Sequence, residues 1–92
     1  MGRPRCRRKI NFNPTETFFK PQGVPLKDLN SVEIYLDELE ALRLFEVEGL
    51  NMKKGAEYMG ISDTTFHRLV RTGSKKIILA LVNGFAIKLN KI

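Results

Sequence analysis

The chain has 92 residues, of which 42% are hydrophobic and 28% charged. That fits one folded domain and is too apolar for a disordered segment. The formal net charge is +6 and there is one cysteine, Cys6, which excludes an internal disulfide and favours a reducing compartment. A domain this small has little room for a deep catalytic cleft. No stretch reaches bilayer-spanning length, and no apolar core follows the basic start as in a signal peptide. The expectation is a cytoplasmic, nucleoid-associated protein that is not an enzyme.

The charge is unevenly placed. Residues 1–9 carry Arg3, Arg5, Arg7, Arg8 and Lys9 and no acid. Residues 10–31 balance to zero, with two bases and two acids. Residues 32–50 hold six acids against Arg43, and residues 51–92 hold eight bases against two acids. A basic arm and a basic C-terminal half therefore flank an acidic helix. Such polarity suits a polyanion on one face, although a solvated basic surface would look the same.

In chain order, residues 1–9 read as a flexible basic arm and 10–92 as a single domain. Ile10 to Asn13 and Thr17 to Lys20 read as short strands around Pro14. Lys20-Pro21-Gln22-Gly23-Val24-Pro25 is turn chemistry, because prolines remove donors and glycine permits positive φ. Val32 to Leu36 is β-branched and aromatic and predicts a strand. Asp37 then predicts a helix N-cap, with Glu40 three residues on as in a capping box. Leu39, Leu42, Phe45 and Val47 supply its buried side, and Gly49 ends it. Asn51 caps a short helix running through Met59. Gly60 breaks it, and Ser62 caps a third helix to about Val82, stopped by Asn83-Gly84. Phe85 to Leu89 reads as a last strand. The predicted fold is mainly α, with a small β element from the N- and C-terminal segments.

Residues 52–72 have helix-turn-helix spacing. Gly60 serves the tight turn, Ala56 is small where the helices cross, and Met59, Ile61, Phe66 and Leu69 are apolar at core positions. At about 100° per residue, Phe66, Leu69, Val70, Gly73, Ile77 and Ala80 share one face of the third helix. Thr64, Arg68, Arg71 and Lys75 share the opposite face, with Thr65, His67 and Thr72 beside them. Cations neutralise phosphates, and an arginine can also grip guanine with two hydrogen bonds. The predicted partner is double-stranded DNA. Thr64, Thr65, His67, Arg68, Arg71 and Lys75 contact the groove, while Lys53, Lys54, Lys76, Arg3, Arg5, Arg7 and Arg8 hold phosphates or the neighbouring minor groove. The plainer alternative is a helical hairpin with a solvated face.

The stretch from Leu36 to Leu50, followed by these helices, resembles the C-terminal region of sigma factors that reads the promoter −35 element. The whole chain resembles a prokaryotic family of small uncharacterised proteins predicted to bind DNA. That match is carried by Arg3-Pro4-Arg5, Phe19-Lys20-Pro21, Gly23-Val24-Pro25-Leu26, the Asp37–Leu44 block and Met59-Gly60-Ile61-Ser62. The resemblance implies a transcription-regulator-like role. Two departures stand out. Gly55 and Gly73 replace better helix formers, at a cost of up to about 1 kcal/mol each. Lys53-Lys54 opens the second helix where acids are usual.

Cys6 and His67 are the only soft metal ligands and have no companions, so no metal site and no cofactor are expected. The acids of residues 33–48 read as a solvated helix face. That face supports the rival reading, a protein-interaction module docking on RNA polymerase through helix 37–48. Residues 77–82 are apolar all round, and Ile78, Leu79 and Val82 point away from the Phe66 face. Such a patch wants cover, either from the strands or from a second subunit in a homodimer.

Overall fold

The computed structural model describes residues 18–90. The basic arm, Cys6 and the strand predicted at Ile10 to Asn13 lie outside the described residues. The elements run β1 (Phe18–Phe19), a single 3-10 turn (Leu26–Asp28), β2 (Ser31–Tyr35), α1 (Leu36–Leu42), a π-helical turn (Arg43–Val47), α2 (Met52–Met59), α3 (Asp63–Asn83) and β3 (Ala86–Asn90). The fold is mainly helical with a small three-stranded sheet, as the segment pattern predicts.

The sheet has the order β1-β3-β2, so the last strand is central. β3 is antiparallel to β1, with Phe19 opposite Ile87. It is parallel to β2, with Ile34 opposite Leu89. A parallel pair needs a long crossover, and here α1, α2 and α3 together form it. Ile34 and Leu89 stand opposite each other and are both buried on one face of the sheet, while Ala86, an odd number of residues from Leu89, is buried on the other face.

α3 is one helix of 21 residues. Its inner row is Phe66, Leu69, Val70, Gly73 and Ala80, all buried. Ile77 packs against the same core at partial exposure. Gly73 does not interrupt the helix. Its missing side chain lets α1 approach, because a Cβ there would stand 2.9 Å from Leu42 Cδ1 and 3.3 Å from Glu38 Cβ.

α1 departs from expectation in three ways. It starts directly from the strand: Tyr35 is the N-cap, and its backbone amide donates to Glu38 Oε1 at 2.9 Å. Asp37 and Glu40 are therefore inside the helix rather than its cap and its capping-box partner. Second, of the acids at 33–48 expected on a solvated face, Glu33, Glu46 and Glu48 are exposed but Asp37, Glu38 and Glu40 are buried. Glu38 accepts from Thr72 Oγ1 and Lys76 Nζ of α3, both at 2.9 Å. Glu40 takes two hydrogen bonds from the Arg43 guanidinium, at 2.8 and 3.2 Å. A buried carboxylate is tolerable only when paired in this way, and Glu38's partners lie more than thirty residues along the chain. Third, the helix ends in a π turn, where Glu48 N–H donates to Arg43 O at 2.9 Å. That wider turn shifts the register of the last residues. Leu44 is buried, while Val47, expected inside, is 76% exposed.

Candidate nucleic-acid interface

Asn51 accepts the Lys54 amide on Oδ1 at 2.8 Å and so starts α2. Gly60 ends α2 in the left-handed region, at φ 71° and ψ 36°. The Ile61 amide returns to Ala56 O at 3.0 Å, which closes the turn. Two residues later Ser62 Oγ accepts the Thr65 amide at 3.1 Å and starts α3. The turn between α2 and α3 is thus set by Gly60 and by Ser62, whose hydroxyl satisfies a donor that a bare helix start leaves unpaired.

The angle between the helices is held by a knob in a notch. Phe66 is fully buried and lies over Gly55. A Cβ at Gly55 would fall 2.2 Å from Phe66 Cζ, so only glycine accepts this ring. Ala56 and Met59 are buried beside it, and Ile61 packs on the same cluster. Ala56 was the small residue expected at the crossing. The closer approach is at its neighbour Gly55, which the sequence shows only as a poor helix former.

With Phe66, Leu69 and Val70 inside, helical geometry turns the other side of α3 outward. Thr64, His67, Arg68, Arg71 and Lys75 are exposed. Among the described residues Arg68 and Arg71 make no ion pair or hydrogen bond with their side chains. Thr65 is half-buried, and its Oγ1 accepts from the Ser62 hydroxyl at 2.9 Å. It therefore serves the cap of α3 rather than standing free on the outer face. Lys53 and Lys54 are exposed in the first turn of α2. Cations there oppose the helix dipole by roughly 0.3–1 kcal/mol, and a bound anion at that end would offset the cost.

Lys76 does not belong to the exposed set. Its ammonium pairs with buried Glu38 and stands 4.5 Å from the centre of the Tyr35 ring. It ties α3 to the β2–α1 junction, so its ammonium is engaged inside the molecule instead of standing free among the outer cations. Arg43 is likewise committed, to Glu40 and to Glu48 at 3.1 Å. The hydrogen bond to Glu40 holds its pKa above the ordinary arginine value, although burial works against this. Arg3, Arg5, Arg7 and Arg8 lie outside the described residues. Among the described residues no group of three His, Cys, Asp or Glu side chains is placed to hold a metal ion. None of the described helices is long and apolar enough to cross a membrane.

The chain is similar to a UPF0251 protein of Rhodospirillum rubrum, with 49% identity over 90 residues, covering 98% of this chain and 63% of that protein. A UPF0251 protein of the archaeon Methanosarcina acetivorans is 43% identical over 88 residues, covering 96% of this chain and 79% of the relative. One from Desulforudis audaxviator is 47% identical over 88 residues, covering 96% of this chain and 58% of that protein. The chain thus spans about three fifths of the length of two of these relatives. No solved structure matches it. The family model described as Protein of unknown function DUF134 matches residues 1–91, and the chain belongs to that family of prokaryotic proteins.

Proposed function

We propose that α2, the Gly60 turn and α3 form a helix-turn-helix that binds double-stranded DNA, in the service of transcriptional regulation. α3 enters the major groove by its N-terminal half, much as the −35-reading region of sigma factors does. Arg68 and Arg71 face base edges or adjacent phosphates, with Thr64 and His67 beside them. Lys53, Lys54 and Lys75 hold the backbone. The carrying observation is the sorting of charge between α3 and α1. Arg68, Arg71 and Lys75 stand in solvent, while Lys76 and the acids Asp37, Glu38 and Glu40 are turned inward.

The same burial weighs against docking on RNA polymerase through an acidic face of helix 37–48. Three of its five acids are inside and exposed Glu48 is paired with Arg43, which leaves Glu46 as the acid exposed there without an ion pair among the described residues.

Fluorescence anisotropy with a labelled random duplex tests the proposal. If four cations meet phosphates, affinity falls about a hundredfold between 50 and 200 mM salt. Replacing Arg68 and Arg71 by Ala flattens that dependence. Absence of binding at low salt, or binding indifferent to salt, overturns the reading. Selection from a random duplex pool then gives the site preference.

A further inference from the structure

α3 passes into the central strand through one joint. The helix ends at Asn83, Gly84 caps it in the left-handed region at φ 70° and ψ 28°, and β3 begins at Ala86. The Gly84 and Phe85 amides both donate back to Ala80 O, Phe85 at 2.9 Å. The side-chain amide of Asn83 donates to Leu79 O at 3.0 Å. The Ala86 amide then donates to Asn30 O at 2.9 Å, where β3 enters the sheet between β1 and β2.

The same joint carries a reactive pair. Positions 83 and 84 are the single Asn-Gly step in the sequence. Glycine has no Cβ to shield its own nitrogen and moves freely in φ and ψ, so that nitrogen can reach the carboxamide carbon of the residue before it. Asn83 and Gly84 are exposed, and nothing lies within 4 Å of where a Cβ on Gly84 would stand, so water reaches both.

We propose that Asn83 is a site of spontaneous covalent modification, converted to aspartate and isoaspartate, and that the cap of α3 gates the reaction. The backbone nitrogen of Gly84 gives up its proton and bonds to Cγ of Asn83. The bond from Cγ to Nδ2 breaks, and ammonia leaves with that proton. One water then opens the succinimide ring at either of its two carbonyls, leaving a carboxylic acid that ionises at neutral pH. The folded joint opposes each part of the first step. Helical backbone at Asn83 turns the Gly84 nitrogen away from the Asn83 side chain, the Gly84 hydrogen is engaged by Ala80 O, and the carboxamide is engaged by Leu79 O. The last turn must therefore open first. Its Leu81 and Val82 side chains are 69% and 76% exposed, so little packing holds it, and it opens more readily than the domain unfolds.

The product resists closing again. A carboxylate at position 83 cannot donate to Leu79 O, and it stands at the negative end of the helix dipole. Isoaspartate also routes the main chain through the side chain, which inserts one extra carbon between α3 and β3. The Gly84 and Phe85 amides then lose their register on Ala80 O, and the strand that loses its anchor is the central one. An opening of this joint is thereby recorded irreversibly in the chain. Nothing in this depends on the DNA-binding reading.

Peptide mapping by mass spectrometry after incubation at neutral pH, with the chain folded or unfolded in guanidinium chloride, tests the proposal. Conversion at Asn83 should be at least about tenfold slower in the folded chain. Asn83→Gln should abolish conversion at this position in both states, because its longer side chain closes a less favourable ring. The purified isoaspartate form should unfold at lower denaturant than the unmodified chain, and Asn83→Asp, which adds the charge without the extra main-chain atom, should lose less. No conversion in the unfolded chain overturns the site. Equal rates in the folded and unfolded chain overturn the gating, and an isoaspartate form as stable as the unmodified chain overturns the irreversible opening.

Discussion

Gly55→Ala is a substitution for which local and tertiary physics give opposite signs. In a helix, alanine is preferred to glycine by up to about 1 kcal/mol, so propensity predicts a more stable protein. Against that, the new methyl would lie 2.2 Å from Phe66 Cζ and 2.7 Å from both neighbouring ring carbons. The ring is fully buried, so it has no open space to swing into. Overpacking of this kind costs typically 1–3 kcal/mol, occasionally more, because either the ring leaves its rotamer or α2 lifts off α3. The expected net effect is a loss of about 1–2 kcal/mol. For a domain of this size that lowers Tm by roughly 4–16 °C. Urea unfolding followed by far-UV circular dichroism measures it. The partner substitution is Gly73→Ala, whose Cβ would meet the tip of Leu42 at 2.9 Å and Glu38 Cβ at 3.3 Å. A leucine methyl can rotate aside, so Gly73→Ala should cost less than Gly55→Ala. A gain in stability at Gly55, or a larger loss at Gly73, would refute the packing argument.

Other outcomes follow from the same contacts. Lys76→Ala leaves Glu38 buried beside Thr72 without its ammonium, and should cost about 3 kcal/mol in urea unfolding. The double variant Glu38→Gln/Lys76→Met should recover part of that loss, and a fully additive double variant would show that the pair is not coupled. Ser62→Ala removes the cap of α3 and should cost about 1 kcal/mol; an unchanged midpoint would mean that Ser62 Oγ is not the effective cap. Arg68→Ala should relax site preference by roughly 1–3 kcal/mol if the guanidinium reads a base. If instead affinity falls evenly over all sequences, Arg68 contacts only phosphate.

How much was visible beforehand differs from element to element. β2, α2 and α3 were within reach because their signals are local. Asn51, Gly60, Ser62 and Gly84 act on residues within a turn of themselves, and the 3.6-residue repeat of Phe66, Leu69, Val70 and Gly73 needs no knowledge of what covers it. α1 is not legible in this way, because local rules assume that acids seek water. Asp37 looks like a cap and Glu38 like surface until Thr72 and Lys76 are brought against them. Lys76 reads as one more outer cation for a similar reason: a polar side chain near an outer face carries no mark of an inward partner.

The chain by itself determined the class of the fold, the limits of α2 and α3, and which side of α3 carries arginines, since periodicity and capping depend on near neighbours. Tertiary structure decided which charges remain in water, why two glycines sit inside helices, and that the end of α3 stays uncovered by the sheet. Those outcomes depend on groups from different elements meeting in a close-packed interior, eleven residues apart at Gly55 and Phe66 and thirty-eight at Glu38 and Lys76. There the free energy of a charge, or the room for a methyl group, is set by the neighbour across the contact and not by the neighbour along the chain.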